Sequence, residues 1–103
     1  MEVQSLSRGT TPCLTFKADL DCTYADALYL TLKSDNGRKL EKTIRDIEIQ
    51  GNVIKCKLSQ EDTLYFKKTE YIEMEIRVLL GKSALVSNKI MVKMEDILKN
   101  GVI

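Results

Sequence analysis

The chain has 103 residues, of which 44% are apolar and 30% charged, with a single proline and five glycines. This length supports one domain around one hydrophobic core, and so high an apolar content excludes a disordered or low-complexity chain. Sixteen basic residues against fifteen acidic residues leave a net charge of +1, so no global field favours nucleic acid or an anionic membrane.

Apolar and polar residues alternate with a period of two along much of the chain. This pattern is typical of strands that bury one face and expose the other. In chain order it predicts seven strands, over Val3–Ser7, Cys13–Lys17, Ala27–Ser34, Lys39–Ile44, Val53–Leu58, Glu70–Leu80 and Ala84–Met94.

Three of these segments carry the clearest inward-facing sets. The first set is Leu28, Leu30 and Leu32. The second is Ile72, Met74, Ile76, Val78 and Leu80, and the third is Ala84, Val86, Ile90, Val92 and Met94. Asn88 interrupts the third set, which favours a bulge or a buried backbone hydrogen bond over a ligand contact.

Short turns and two short helical turns connect or follow these strands. Asn36-Gly37 predicts a type I′ hairpin, and Gly51-Asn52 and Gly81-Lys82 predict further reversals. Ser59-Gln60-Glu61-Asp62 predicts a capped helical turn, and Glu95–Gly101 predicts a last helical turn that ends at glycine. Many short strands with so little helix predict an all-β sandwich or a small barrel, in one domain over residues 1–103.

Several classes of function are disfavoured by residues that the chain lacks. Histidine is absent, and the three cysteines, Cys13, Cys22 and Cys56, have no C-x-x-C spacing, so we expect no metal, cofactor or disulfide framework. We expect Cys56 inside and the other two exposed, all three as structural residues. No secretory signal precedes the first strand, and no apolar run approaches the roughly 20 residues of a membrane span. The chain is therefore expected in the reducing cytoplasm, without nucleic-acid or membrane partners.

Two charged constellations have a functional and a structural interpretation. Glu73 and Glu75 share a strand face about 7 Å apart, a separation that some glycosidases use, but Arg77 follows on the same face and a solvated face is favoured. The basic run Arg38–Arg45 contains no aromatic residue to stack a base, so protection of a sheet edge is favoured over phosphate binding. We therefore expect no enzymatic activity.

An ordered set of motifs resembles a known group of proteins. It comprises Thr11-Pro12, the strand Ala27–Thr31, the turn Leu58–Phe66, Glu75–Val78, Ser87–Ile90 and Ile97–Ile103. Over roughly residues 10–103 this set resembles small prophage proteins of Gram-positive bacteria, and it is similar to the N-terminal domain of siphophage upper baseplate proteins. The resemblance implies an immunoglobulin-like antiparallel β-sandwich of about seven strands with one or two short helical turns. It also implies a virion structural or adaptor protein of the tail or baseplate.

The partners expected from this resemblance are other phage tail or baseplate proteins, with a homo-oligomer as a further possibility. The expected location is the host cytoplasm during assembly and then the virion. The candidate interaction residues are Val102 and Ile103 at an apolar chain end, together with Tyr29 and Tyr71. A carbohydrate- or ligand-binding sandwich is the alternative, in which Tyr24, Tyr29 and Tyr71 would supply the aromatic platform while Phe16, Tyr65 and Phe66 lie in the core.

Overall fold

The computed structural model describes residues 3–66, 71–86, 89–95, 97–99 and 101–103. These residues form nine strands: β1 (Val3–Ser7), β2 (Cys13–Lys17), β3 (Ala27–Ser34), β4 (Lys39–Thr43), β5 (Ile47–Gln50), β6 (Val53–Lys57), β7 (Tyr71–Leu80), β8 (Ser83–Val86) and β9 (Ile90–Glu95). A 3₁₀ turn covers Ile44–Asp46, and helix α1 covers Gln60–Tyr65.

The strands form two sheets that pack as a sandwich. One sheet has the order β1-β9-β7-β3-β4, with β8 added beside β7, and the other has the order β2-β6-β5. All described pairings are antiparallel except that of β1 with β9, which is parallel. With β2 as strand B, the sheets follow the B-E-D and G-F-C orders of immunoglobulin domains, and β4 is an added strand beside C. The prediction of an all-β sandwich is confirmed.

The strand count differs from the prediction of about seven at two places. The segment predicted as one strand over Ala84–Met94 forms two, because β8 pairs with Arg77–Leu80 and β9 pairs with Tyr71–Met74. Strand β5, which the prediction missed, is only four residues long and follows directly after the 3₁₀ turn. Asn88, the expected bulge, lies outside the described residues.

The core lies between the inward faces of the two sheets and matches the alternation in β3, β7 and β9. Its buried side chains include Leu28, Leu30, Leu32, Ile54, Cys56, Leu58, Phe66, Ile72, Val92 and Met94. Ala84 and Val86 were predicted to face inward, but both are exposed. The reason is the register of β8, which places Ala84 opposite Leu79 and Val86 opposite Arg77, and both of these β7 residues are exposed on its outer face.

Three tight hairpins reverse the chain at the three glycine-containing dipeptides that predicted them. Gly51 and Gly81 begin two-residue loops with φ of 61° and 60°, which fits the positive φ that such loops require. The Asn36-Gly37 hairpin differs from the predicted type I′ turn. Ser34 N–H donates to the Arg38 carbonyl (2.8 Å), so the loop has three residues and Gly37 has a φ of 95°.

Helix α1 closes one end of the sandwich and is capped as predicted. Asp62 N–H donates to Ser59 Oγ (3.1 Å) and Ser59 N–H donates to Asp62 Oδ2 (2.9 Å), which is a reciprocal capping box. Behind the helix, Arg8 Nε donates to the Phe66 carbonyl (2.9 Å), and the buried Thr63 hydroxyl donates to the Thr10 carbonyl (2.9 Å). The helix therefore ties the end of β1 to the chain that follows β6.

The predicted helical turn over Glu95–Gly101 is wrong for the residues that the structure describes. Glu95 ends β9, and residues 97–99 and 101–103 form bends and irregular chain. Asp96 and Asn100 lie outside the described residues. The parallel pairing of Ser7 with Glu95 extends the strand into the first position where acids would favour a helix, so tertiary pairing outweighs the local preference.

We expect Ile72→Ala to lower the free energy of unfolding by about 2–5 kcal/mol, because its fully buried side chain would leave a cavity. The matched control is Glu73→Ala, whose side chain points to the outer face and should cost no more than about 0.5 kcal/mol. Urea denaturation of both variants measures the difference. Equal losses would contradict the observed register.

Candidate functional site

An apolar cleft opens on one side of the sandwich, where each sheet ends in an edge strand. Strand β2 is the edge of the three-stranded sheet, and β8 lies at the edge of the other. The cleft between them has a volume of about 620 Å³. Phe16 and Ile54 line it from one sheet, Ile76 and Val78 line it from the other, and Leu85 lies at its rim. The arrangement can bind apolar side chains without unfolding either sheet.

The outer edge of β2 offers backbone hydrogen-bonding groups beside this cleft. Ala18 N–H donates to the Asn52 carbonyl (2.7 Å) and Leu58 N–H donates to the Pro12 carbonyl (2.9 Å), so the even-numbered residues of this strand face β6. In an antiparallel ladder the alternate residues point the other way. The N–H and C=O groups of Cys13, Thr15 and Lys17 therefore face the outer edge, where no described strand pairs with them.

The three cysteines occupy different environments. Cys56 is buried as predicted, and Cys13 is exposed as predicted. Cys22 was expected outside but is buried in the wall of the cleft, where its thiol donates to the Leu20 carbonyl (3.5 Å). Burial raises the pKa of the Cys22 thiol, and neighbouring Asp21 raises it further. The thiol form is thus favoured, which makes Cys22 a poor nucleophile.

Glu73 and Glu75 lie away from the cleft on the outer face of β7. Glu73 is exposed and pairs with Lys89 at 3.7 Å, and both side chains of this pair are about half exposed. Across the β3–β7 ladder, Glu73 is opposite Lys33 and Glu75 is opposite Thr31. The two carboxylates therefore share a solvated face with basic neighbours, and neither lines the described cavities.

The exposed tyrosines do not form one platform. Tyr29 on β3 is opposite Arg77 on β7. Tyr71 is the first residue of β7, six residues before Arg77, so the two tyrosines are about 20 Å apart along the sheet. Tyr29 instead lines a shallow depression of about 340 Å³ with Thr43 and Arg45. Tyr24 lies in the loop between β2 and β3. Of the aromatics expected in the core, Phe66 is buried, Phe16 is half-buried and Tyr65 is exposed.

The basic run Arg38–Arg45 lies mostly on β4, which is an edge strand. This position agrees with the interpretation of the run as edge protection. Two of its cations make local contacts, since Arg38 lies over the Tyr65 ring (5.8 Å) and Lys42 Nζ is 2.9 Å from Asp62 Oδ2. The Lys42–Asp62 pair is largely shielded from water, with side-chain exposures of 20% and 12%. It fastens β4 to the start of α1.

The Lys42–Asp62 pair is expected to make stability depend on pH. Burial acts to raise the pKa of Asp62, but the Ser59 backbone N–H and the Lys42 ammonium group outweigh it and lower that pKa below its ordinary value. A carboxyl with a lowered folded pKa stabilises the protein above its unfolded pKa, near 3.9, and that contribution is lost as the pH falls through the folded value. The hydrogen bond to Asp62 raises the pKa of Lys42, so its contribution is present at neutral pH and is lost only at strongly alkaline pH.

A double-mutant cycle with Lys42→Met and Asp62→Asn should give a coupling on the order of 1 kcal/mol at pH 7. The coupling should shrink as the pH falls from 5 towards 2, because protonation of Asp62 removes the ion pair. Urea denaturation of the four proteins across this range measures it. A coupling that did not change with pH would contradict the assignment.

The apolar chain end, predicted as an interaction site, lies at the end of the sandwich that α1 closes. Val102 and Ile103 are both exposed. The Gln60 side chain makes two hydrogen bonds with the backbone of Ile103, donating to its carbonyl (3.2 Å) and accepting from its N–H (2.8 Å). Upstream, the half-buried Ile97 packs against Gly9. A Cβ atom added to Gly9 would lie only 2.9 Å from Cδ1 of Ile97. The tail is thus attached through Ile97 and Gln60 while its last two side chains stay in solvent.

Deleting residues 101–103 should lower the free energy of unfolding by no more than about 1 kcal/mol, because the deletion removes two exposed hydrogen bonds and no buried side chain. Gln60→Ala removes the same two bonds and is the matched control. Thermal unfolding followed by circular dichroism measures both. A much larger loss from the deletion alone would mean that Val102 and Ile103 pack against the domain.

The cleft was not predicted from the sequence. Its rim residues Leu20, Leu85 and Val86 are all exposed, although Val86 was predicted to face inward. The available signal was the apolar series Phe16, Ala18 and Leu20, which continues the alternation of β2 beyond the end of the strand. That series indicates an apolar face but does not show that the opposite sheet leaves it partly uncovered.

Comparisons with protein-family models and with curated proteins found no match to this sequence. In the part of the chain that the structure describes, no three His, Cys, Asp or Glu side chains are grouped to hold a metal ion. No helix among the described residues is long and apolar enough to cross a membrane.

Proposed function

We propose that this protein is a non-enzymatic structural or adaptor module that joins other proteins during the assembly of a phage or prophage tail or baseplate. The observation that carries the proposal is the open side of the sandwich, where two strand edges flank an apolar cleft. Extended segments of other proteins bind such edges by adding a strand and placing alternate side chains in pockets. The phage context comes from the resemblance of the motifs over residues 10–103.

The residues of β8 support this proposal. Edge strands in proteins that stay monomeric are normally protected by charged side chains, as β4 is by its lysines. Strand β8 has the sequence Ser-Ala-Leu-Val, and all four residues are exposed. An apolar edge beside an apolar cleft is typical of a surface that another protein covers. The proposed partners are other tail or baseplate proteins, and a second copy of the chain could use the same edge.

Val86→Glu should abolish incorporation of the protein into particles, because a carboxylate at the rim would have to lose its water when a partner covers the cleft. The matched variant is Val102→Glu, which makes the same change at similar exposure (56% against 61%) on the C-terminal tail. We would introduce each variant into the prophage, induce it, purify particles on a density gradient and quantify the protein by immunoblot. Thermal unfolding of both purified variants checks that they fold.

The two variants separate the two candidate surfaces. Loss with Val86→Glu alone supports assembly through the cleft, and loss with Val102→Glu alone would move the interface to the tail. If the wild-type protein is absent from particles and tails assemble normally without it, the proposed function is wrong.

A further inference from the structure

We propose that the cleft binds an extended segment in which aliphatic and acidic residues alternate, added as a strand to the outer edge of β2. This inference rests on the proposed function and specifies the chemistry of the partner. It follows from three features of the structure: the free backbone groups of β2, the apolar walls of the cleft, and the charge on the outer face of the three-stranded sheet.

The free backbone groups set the length and alignment of the segment. Cys13, Thr15 and Lys17 direct their N–H and C=O groups away from β6, so an antiparallel strand could make up to six hydrogen bonds with them. The five residues of β2 span about 17 Å. A partner segment of roughly five to eight residues therefore covers the whole edge.

The apolar walls of the cleft favour apolar side chains at every second position of that segment. In an added strand, every second side chain lies on the same face of the sheet as Leu14 and Phe16 and so points into the cleft. The walls there are Ile54, Ile76 and Val78. Aliphatic side chains fit such walls, since a polar side chain would lose its hydration without gaining partners.

The other half of the side chains would meet a basic surface. Lys17 on β2 and Lys55 and Lys57 on β6 share the outer face of the three-stranded sheet, and the register places Lys55 opposite Thr15 and Lys57 opposite Cys13. Among the residues of β2, β5 and β6, the one acidic residue is Glu48 on β5, which is opposite Lys55. Lys17 and Lys57 have no acidic residue opposite them in these strands, so they supply the positive charge that a partner would meet. Opposite charges on neighbouring strands stabilise pairing, and like charges oppose it. Acidic side chains are therefore favoured at these positions.

The test uses synthetic peptides and the full chain. One peptide has roughly eight residues in which Val or Ile alternates with Glu, and the matched peptide has Lys in place of every Glu. Fluorescence anisotropy of the labelled peptides measures binding. We expect the acidic peptide to bind at least about tenfold more tightly than the basic one, and the difference to shrink at high salt.

Two protein variants and one modified peptide locate the contact. Lys17→Glu should remove the preference for the acidic peptide, whereas Lys33→Glu makes the same charge change on the outer face of the other sheet and should leave it unchanged. Thr15→Pro removes an outward N–H and should weaken binding of the acidic peptide. If that variant fails to fold, an acidic peptide N-methylated at the residues that face β2 tests the same hydrogen bonds with the unaltered protein.

Equal binding of the acidic and basic peptides would overturn the inferred preference for acidic residues. Undiminished binding of the N-methylated peptide would overturn the inference that the segment is added as a strand. Failure of the acidic peptide to bind would overturn the whole inference. None of these results decides the proposed function, because incorporation of Val86→Glu into particles is measured separately and does not depend on which segment occupies the cleft.

Discussion

The structure depends on strand β7, which is the one element that positions the rest of the larger sheet. Its ten residues pair with β3 along one side and with β9 and then β8 along the other. Its inward side chains Ile72, Met74 and Ile76 are buried against the second sheet, and burial of apolar surface is the main stabilising contribution to such a sandwich. A shift of β7 by one residue would expose these three side chains and displace three strands together.

The region around α1 and the cleft between the sheets have different roles. At one end, α1 brings together the Ser59–Asp62 capping box, the Lys42–Asp62 ion pair and the Arg8 contact with the Phe66 carbonyl. The segment Leu58–Phe66 therefore has a structural role, because it closes one end of the sandwich. On the other side, β2 and β8 leave a cleft between the sheets. The polar contacts around α1 are thus separate from the cleft, whereas Ile54 and Ile76 belong both to the cleft walls and to the core.

The position of β1 explains why the cleft exists. In immunoglobulin domains of the constant type, the first strand borders the second in the same sheet. Here β1 pairs in parallel with β9 in the other sheet, so β2 becomes an edge strand. The unpaired edge of β2, beside the apolar walls and the outer lysines, is therefore a consequence of the partner that β1 pairs with. A strand from another protein would restore the neighbour that β2 lacks among the described residues.

The sequence predicted most of the strands, though not β5, and the buried faces of β3, β7 and β9, because side-chain alternation is a local property of an extended chain. It also determined the capping box at Ser59 and the glycine-dependent hairpins, since these rest on interactions within a few residues. It could not determine that β8 and β9 are separate strands, that β1 joins the larger sheet, or that Glu95 extends a strand instead of starting a helix. Those outcomes depend on pairing between segments far apart in the chain, and alternation states which face is buried without stating which neighbour lies at each edge. The candidate site lies between two such edges, so its position depends on long-range strand pairing that alternation in the sequence does not encode.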